Sequence, residues 1–316
     1  MIVKRKQPVF VVGDARSGTT FLANLLIQHP EIGLAPESNF VTELMKEFGE
    51  RAIATREDLD LALQQAYREA KFADLKIERS ELFCELEPKL PLSFPEIVNA
   101  ILRYYCQQEF PGRPVWGIKK GSYIFNGYQL SEFFPGAKFI NIVRDGRAVF
   151  SSKKKALHSR TGQPFETDPV EAAMRWVRAI ASFDELARQH PGNTREVSYE
   201  ALVSNPPATM LDLFRFLEVE PDASVASQAR ESARSSWVPE RYKHLHANVG
   251  QPPKVGRIDA WKQELTPADI KAFEIAAGGE LKRKGYSLLY ESAYLANLMS
   301  AKVKKWANKF QQILSK

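Results

Sequence analysis

A glycine-bounded loop near the start of the chain has the residue types of an anion-binding site. The apolar stretch Pro8–Val12 leads into the spacing Gly13-x-x-x-x-Gly18, and apolar residues at helical intervals follow. Backbone N–H groups in such a loop converge on a phosphate or sulfate group, which the positive end of the helix dipole also favours. The candidate donors in or just after the loop are Arg16, Ser17, Gly18, Thr19 and Thr20.

The loop differs at one position from the loop that binds nucleoside triphosphates. Thr19 stands where that motif has a phosphate-clamping lysine, and the basic residue, Arg16, lies inside the loop. A kinase or NTPase with an altered loop is therefore one alternative. A non-catalytic nucleotide-binding protein and a turn without a ligand are two others.

Cations follow two later apolar stretches. Lys119 and Lys120 end the stretch that begins at Val115, and Arg144 follows Lys138–Val143. Because strand ends in an open α/β sheet face the ligand crevice, these cations are predicted to lie near the loop. A kinase would need a carboxylate after an apolar strand, where this chain has Arg144.

The elements that would position these residues alternate between apolar strands and amphipathic helices, as in a parallel sheet covered by helices. The predicted strands are Pro8–Val12, Val115–Lys119, Lys138–Val143 and 195–199. The predicted helices are 18–28, 56–71, 95–108, 147–157, 169–189, 207–217 and 267–284, with N-caps at Asp168 and Thr266. Residues 241–253 are predicted to form a loop, which could cover a nucleotide.

Three segments resemble the sulfotransferases that use 3′-phosphoadenosine 5′-phosphosulfate (PAPS). Residues 16–22 are similar to the family's 5′-phosphosulfate loop, residues 138–152 to its 3′-phosphate block, and residues 197–206 to its third block. Pro36-Glu37 is similar to the corresponding residues of the branch of this family that uses a carboxylate as base, which includes tyrosylprotein and glycan sulfotransferases. The resemblance implies a P-loop NTPase-like, three-layer α/β/α fold with a central parallel sheet, as a sulfotransferase domain over residues 1–290.

The reaction implied by the resemblance moves a sulfuryl group from PAPS to a hydroxyl or amine acceptor by in-line displacement. The product is 3′-phosphoadenosine 5′-phosphate (PAP), and no metal ion is needed. The catalytic residues implied are Glu37 as general base, Lys120 as the stabilising cation and Arg16 as its helper. Cytosolic small-molecule sulfotransferases have a histidine two residues after this lysine, whereas Lys120 is followed by Gly121-Ser122. This difference favours Glu37 as the base and leaves His244 or His246 as open alternatives.

Residues implied to bind the donor lie in four places along the chain. They are Arg16, Ser17, Gly18, Thr19, Thr20, Arg144, Ser152, Tyr199 and Arg257. Arg144 and Ser152 would bind the 3′-phosphate, Tyr199 would lie near the adenine, and Arg257 would give a second phosphate contact. The planar guanidinium group of arginine is well suited to binding a phosphate group.

Composition agrees with an enzyme that binds an anion. The formal net charge is +6, which suits an anionic ligand, and the chain contains no recognised nucleic-acid module, so we expect no nucleic-acid partner. The two cysteines, Cys84 and Cys106, give no disulfide framework. With no apolar signal segment near Met1, these features predict a cytoplasmic protein.

The C-terminal segment 291–316 has the pattern of a basic amphipathic helix. We expect it to pack on the domain or on a second subunit in a homodimer, and a peripheral membrane contact is the alternative. The acceptor is left open by the sequence: a saccharide, a peptide tyrosine, a lipid or a small metabolite would each fit.

Overall fold

A computed structural model describes residues 7–158, 161–228 and 255–300. These residues form two compact units. The first contains residues 7–144, 179–228 and Val255, and the second contains residues 145–158, 161–178 and 256–300. The predicted loop 241–253, with His244 and His246, lies outside the described residues.

The first unit is built on a central sheet of five parallel strands. The strands are β1 Val9–Val12, β2 Ile32–Ala35, β3 Val115–Lys119, β4 Lys138–Val143 and β5 Thr194–Ser198, in the spatial order β2-β3-β1-β4-β5. Every residue of the first four strands is buried. A parallel sheet covered on both faces gives such continuous apolar runs, so the predicted α/β class with a central parallel sheet is confirmed.

One or more helices follow each strand. In chain order they are α1 Thr19–Leu26, α2 Phe40–Phe48, α3 Arg56–Arg68, α4 Arg79–Leu86, α5 Phe94–Glu109, α6 Gly127–Phe133, α7 Gly146–Lys155, α8 Pro169–Gln189, α9 Tyr199–Ser204, α10 Pro206–Phe216, α11 Ala223–Gln228, α12 Trp261–Glu264 and α13 Pro267–Arg283. Residues 291–300 are also helical. The predicted N-caps are confirmed, since Asp168 accepts from the backbone of Glu171, and Thr266 forms a capping box with Asp269.

The core of the first unit surrounds β1. The ring of Phe10 stacks on Phe139 with centroids 5.0 Å apart, and Tyr123 and Phe134 meet Phe10 edge-on. This packing fixes β1 between β3 and β4, so the loop after β1 begins from a rigid position.

The second unit contains α7, α8 up to Arg178, α12, α13 and the helix 291–300. Its core includes Phe150, Trp176 and Phe273. The side chains of Arg147 and Glu274 form a buried ion pair, which the backbone N–H groups of residues 289 and 290 complete by donating to the same carboxylate. Such a pair fixes one arrangement of the helices that carry it.

The sequence prediction missed several elements. It omitted β2, α2, α4, α6, α9, α11 and α12, and it ended the helix that starts at Arg56 at residue 71 instead of Arg68. Of the helices in the described ranges, none combines the length and apolarity needed to cross a bilayer.

Candidate active site

All five parallel strands end at one edge of the sheet, and each end carries a residue that the sequence singled out. The residues are Gly13 after β1, Glu37 after β2, Lys120 after β3, Arg144 after β4 and Tyr199 after β5. The carboxyl edge of a parallel sheet is where open α/β folds bind ligands. One crevice of the first unit therefore collects a candidate base, a cation cluster and the anion-binding loop.

The loop after β1 owes its shape to backbone geometry that glycine permits. Gly13 and Gly18 have φ of 146° and 107°, and Arg16 lies in the left-handed region at φ 74°. A Cβ on Gly13 would come within 2.7 Å of the carbonyl oxygen of Ile142. Gly18 is the N-cap of α1 and has no side chain, so it makes no capping hydrogen bond to the first N–H groups of that helix. The loop thus has the backbone shape and the donors that fit an anion.

Arg144 and Tyr199 come together through the register of β4 and β5. Val143 pairs with Ser198, so Arg144 and Tyr199, which come next in the chain, lie level with each other. The guanidinium carbon of Arg144 lies 4.3 Å from the centroid of the Tyr199 ring, within cation–π range. The same ring packs against Gly18, where a Cβ would lie 2.7 Å from it. The tyrosine therefore connects the arginine to the loop.

Lys120 is held beside the loop by hydrogen bonds that continue the β1–β3 ladder. Its backbone N–H donates to Val11 over 3.0 Å, and the N–H of Gly13 donates to the carbonyl of Gly121 over 3.2 Å. These bonds fix the backbone of Lys120 relative to the loop.

Glu37 lies within a cluster of three lysines. Ala35 pairs with Ile118, and two residues further on Glu37 is level with Lys120. The Lys120 ammonium donates to Oε1 of Glu37 over 2.8 Å, and the Lys119 ammonium donates to Oε2 over 3.0 Å. A third cation, Lys71, lies 3.1 Å from Oε1.

The lysine cluster controls the charge of this carboxylate. Burial alone would raise the pKa of Glu37, but the ammonium groups of Lys119, Lys120 and Lys71 outweigh burial and hold the pKa well below its usual value. Burial also lowers the pKa of Lys119, which Glu37 partly opposes. Glu37 keeps 32% of its side chain exposed, whereas the Lys119 and Lys120 side chains keep 4% and 8%. The crevice therefore presents an ionised carboxylate to solvent in front of two buried cations.

A second network holds the segment around Glu37. The Ser38 hydroxyl donates to Glu69 over 2.6 Å, and the Tyr123 hydroxyl donates to the carbonyl of Ser38 over 2.8 Å. Glu69 is two residues before Lys71, so the same contacts position both the carboxylate and its third cation. Sequence reasoning missed Lys71, Glu69 and Tyr123, because nothing in their local pattern sets them apart.

Two predicted donor-binding residues lie in the other unit. Ser152 is on α7, and Arg257 ends a 3-10 turn that begins at Val255. Their part in donor binding stays a prediction. Across the described residues, no group of three His, Cys, Asp or Glu side chains is placed to hold a metal ion.

Comparison with known proteins relates this chain to sulfotransferases. The profile of the Sulfotransferase family matches residues 8–223. The chain is 26% identical over 281 residues to a protein-tyrosine sulfotransferase of Drosophila melanogaster, covering 84% of this chain and 49% of that protein. Against protein-tyrosine sulfotransferase 1 of Danio rerio the identity is 25%, with 88% and 72% covered. The chain thus spans about half the length of the Drosophila relative.

One bacterial relative and two solved structures also match this chain. The omega-hydroxy-beta-dihydromenaquinone-9 sulfotransferase of Mycobacterium tuberculosis is 28% identical over 243 residues, covering 66% of this chain and 62% of that protein. The sulfotransferase domain of the Synechococcus PCC 7002 olefin synthase superposes with a TM-score of 0.60 at 22% identity, covering 90% and 97%. The sulfotransferase domain from the curacin biosynthetic pathway gives 0.60 at 18% identity, covering 89% and 98%. These two structures share the fold.

Proposed function

This chain belongs to the sulfotransferase family, and we propose that it transfers a sulfuryl group from PAPS to a hydroxyl or amine acceptor, with Glu37 as general base. Family and fold support sulfuryl transfer as the reaction. The observation that carries the proposal is the contact of Glu37 with Lys120 beside the anion-binding loop. That contact brings a proton acceptor and a cation to one point of the crevice.

The residues at the edge of the sheet fit the anionic groups of the donor. Arg16 and the N–H groups at the start of α1 would hold the 5′-phosphosulfate, with Ser17, Thr19 and Thr20 as further donors. Arg144 would hold the 3′-phosphate, and Tyr199 would lie near the adenine. When bound, PAPS supplies the activated sulfuryl group and a phosphate leaving group. Arg257 and Ser152 are further candidates for the 3′-phosphate.

Glu37 and Lys120 each have a task in this scheme. Glu37 accepts the proton of the acceptor hydroxyl, a contribution of about 10²–10⁴ in rate. Lys120 donates to the oxygens on which negative charge develops, and removing one such donor commonly costs about 3–4 kcal/mol of barrier. The low pKa of Glu37 keeps the carboxylate ionised and able to accept a proton, and it also makes the carboxylate a weaker base than an unpaired glutamate. In-line geometry follows if the acceptor enters from the side of Glu37 and the leaving group lies at the loop.

The kinase alternative finds less support. The first carboxylate after β4 is Asp145, which caps α7 and accepts from the Arg147 guanidinium at both oxygens, over 3.0 and 2.7 Å. A side chain engaged in that way is poorly placed to hold magnesium. The non-catalytic alternative leaves unexplained why Glu37 keeps 32% of its side chain exposed while Lys119 and Lys120 are buried.

For the acceptor, the relatives named above act on protein tyrosine and on a menaquinone derivative. We therefore propose a peptide tyrosine or a lipid hydroxyl as the first candidates, with saccharides and small metabolites next. The segment 38–114, which contains Lys71, is the part of the chain that we expect to shape this pocket.

Calorimetric titration tests the donor. We expect PAP to bind tightly and ATP with magnesium to bind weakly, and Arg144→Ala to lose most of the PAP affinity. Arg103→Ala is a matched control, because its guanidinium lies 4.3 Å from the Trp116 ring but away from the crevice. Tighter binding of ATP, or equal effects of the two substitutions, would overturn the proposed donor.

Transfer of labelled sulfate from PAPS to a panel of tyrosine peptides, lipid alcohols, saccharides and phenols tests the reaction. Glu37→Gln should lower the rate by about 10²–10⁴ while PAP still binds. Glu185→Gln, which removes an exposed partner of Arg188, should leave the rate unchanged. An active Glu37→Gln enzyme would rule out the carboxylate as base.

A further inference from the structure

The two oxygens of the Glu37 carboxylate have different surroundings. Oε1 lies between two ammonium groups, since Lys120 donates to it over 2.8 Å and Lys71 lies 3.1 Å away. Oε2 accepts from Lys119 alone, over 3.0 Å. Among the residues that the structure describes, this carboxylate has no other hydrogen-bond or ion-pair partner. One oxygen is therefore held by a single lysine, and the other is shared between two.

Lys119 is the most enclosed of these three cations. Its side chain is 4% exposed, against 8% for Lys120 and 28% for Lys71. It is the last residue of β3 and pairs with Val11 of β1 in the sheet. In the described part of the chain, its ammonium group donates only to Glu37. Because an ammonium group that is shut away from water needs its anion, Lys119 is tied to Oε2 of Glu37.

Lys120 has a second task that Lys119 lacks. Its backbone lies beside the anion-binding loop, where the N–H of Gly13 donates to the carbonyl of Gly121. In the proposed function, its ammonium group donates to the donor oxygens on which negative charge develops. Protonation removes the charge of Glu37 at the same time, so the attraction on Lys120 shifts from Oε1 to the donor. The carboxyl group then needs another residue to hold it.

On the basis of the proposed function, we infer that Lys119 is the positioning residue of the base: it holds Oε2 and leaves Oε1 to take the proton. Oε1 is on the open side of the carboxylate, because Lys71 beside it is partly exposed and Lys119 beside Oε2 is not. In the transfer step the acceptor O–H bond breaks, the proton goes to Oε1, and the electron pair of that bond forms the new bond to sulfur. The bond from sulfur to the 5′-phosphate oxygen breaks, and its electron pair stays on that oxygen.

Lys119 also takes part in keeping Glu37 ionised. The charged and titratable groups that contact Glu37 or the adjacent Ser38 are Lys71, Lys119, Lys120, Glu69 and Tyr123. The three ammonium groups hold the pKa of Glu37 well below its usual value. Removing one of them favours the protonated carboxyl, so the pKa of Glu37 rises and the base is lost by protonation at a higher pH.

Lys119→Met tests the role of this lysine, because it removes the ammonium group and keeps an unbranched side chain. Carboxyl-carbon NMR of the protein without ligand should show Glu37 titrating at a higher pH than in the wild type. Lys119→Arg keeps the cation and should restore the wild-type titration. With PAPS and the best acceptor of the panel above, kcat should fall about 10²-fold in Lys119→Met, because the carboxylate is no longer aligned. The KM for PAPS and the PAP affinity should stay unchanged, since Lys119 contacts Glu37 and not the donor.

Lys138→Met is the matched control. Lys138 is also a buried strand lysine with a carboxylate partner, Glu218, but it is the first residue of β4 and lies at the opposite edge of the sheet from the crevice. Both variants should unfold at lower urea concentration than the wild type. Only Lys119→Met should change kcat and the titration of Glu37, which a merely structural role would leave unmoved.

Lysine ammonium NMR gives a second measurement, on the wild-type protein. Addition of PAP should shift the Nζ signal of Lys120 more than that of Lys119, because Lys120 turns to the donor and Lys119 stays on Oε2. Lys119→Arg and Lys120→Arg assign the two signals.

Three outcomes would overturn the role of Lys119 and leave the proposed function standing. They are an unshifted Glu37 titration in Lys119→Met, an equal loss of kcat in Lys119→Met and Lys138→Met, and a PAP-induced shift of Lys119 as large as that of Lys120. Wild-type protein that neither binds PAP nor transfers sulfate would refute the proposed function and this role together.

Discussion

Lys71→Met should move the acidic limb of the pH–rate profile to higher pH. Lys71 is one of three cations that hold Glu37 ionised, and it reaches the carboxylate from outside the sheet. Removing a positive neighbour favours the protonated carboxyl, so the pKa of Glu37 rises toward its usual value. The base is then lost by protonation at a higher pH than in the wild type.

The size of the effect follows from the geometry. Coulomb's law for charges 3.1 Å apart gives about 5 kcal/mol at an effective dielectric of about 20 and about 1 kcal/mol in water. The side chains of Lys71 and Glu37 are 28% and 32% exposed, so the lower part of that range applies, about 1–2 kcal/mol. This corresponds to a rise of about tenfold in the proton affinity of Glu37.

Two measurements check this prediction. Isotope-edited NMR of the glutamate carboxyl carbons follows the titration of Glu37 directly, with Glu37→Gln for assignment, and kcat/KM against pH follows its effect on transfer. Lys71→Arg should keep the wild-type profile because it keeps the charge. Lys46→Met removes a similar pair, with its nitrogen 2.9 Å from Glu43, and should also leave the profile unchanged. An unshifted titration in Lys71→Met, or an equal shift in Lys46→Met, would refute the assignment.

Three further substitutions test the site and the fold around it. Lys120→Met should lower kcat by about 10²–10³ with PAP binding largely kept, measured by steady-state transfer. Gly18→Ala should lose PAP affinity and about 1–3 kcal/mol of stability. An alanine would be strained at the φ of 107° that Gly18 adopts, and its Cβ would lie 2.7 Å from the Tyr199 ring. Gly112→Ala, at φ 80° with open space around it, should show only the strain, and loss of PAP affinity there too would contradict the contact argument. Glu274→Ala should cost about 3–5 kcal/mol in urea unfolding because it leaves a buried arginine without this partner, whereas Glu280→Ala, in an exposed pair, should cost about 0–1 kcal/mol.

Strongly patterned elements were predictable from the sequence. The apolar runs of β1, β3 and β4 and the capped helix α8 were placed within a residue or two of their observed bounds. The short elements were not. Ile32–Ala35 is a four-residue strand containing a glycine and an alanine, and a run of that length does not distinguish a strand from a helix or a loop.

Part of the candidate site depends on long-range contacts. Lys71 was predicted as the last residue of a helix, which instead ends at Arg68 and leaves the lysine beyond it. Its position beside Glu37 comes from packing between segments more than thirty residues apart. Local sequence carries no signal for such a contact.

Residue types and their spacing establish which chemical groups this protein carries: a glycine loop with an internal arginine, a carboxylate after it, and cations at strand ends. Each depends on residue type and short spacing, which are properties of the chain. Which of these groups come into contact depends on the three-dimensional fold. The order β2-β3-β1-β4-β5 and its register bring Glu37 level with Lys120, and Tyr199 level with Arg144. Strand order and register are set by burial of the whole sheet, so they are properties of the fold.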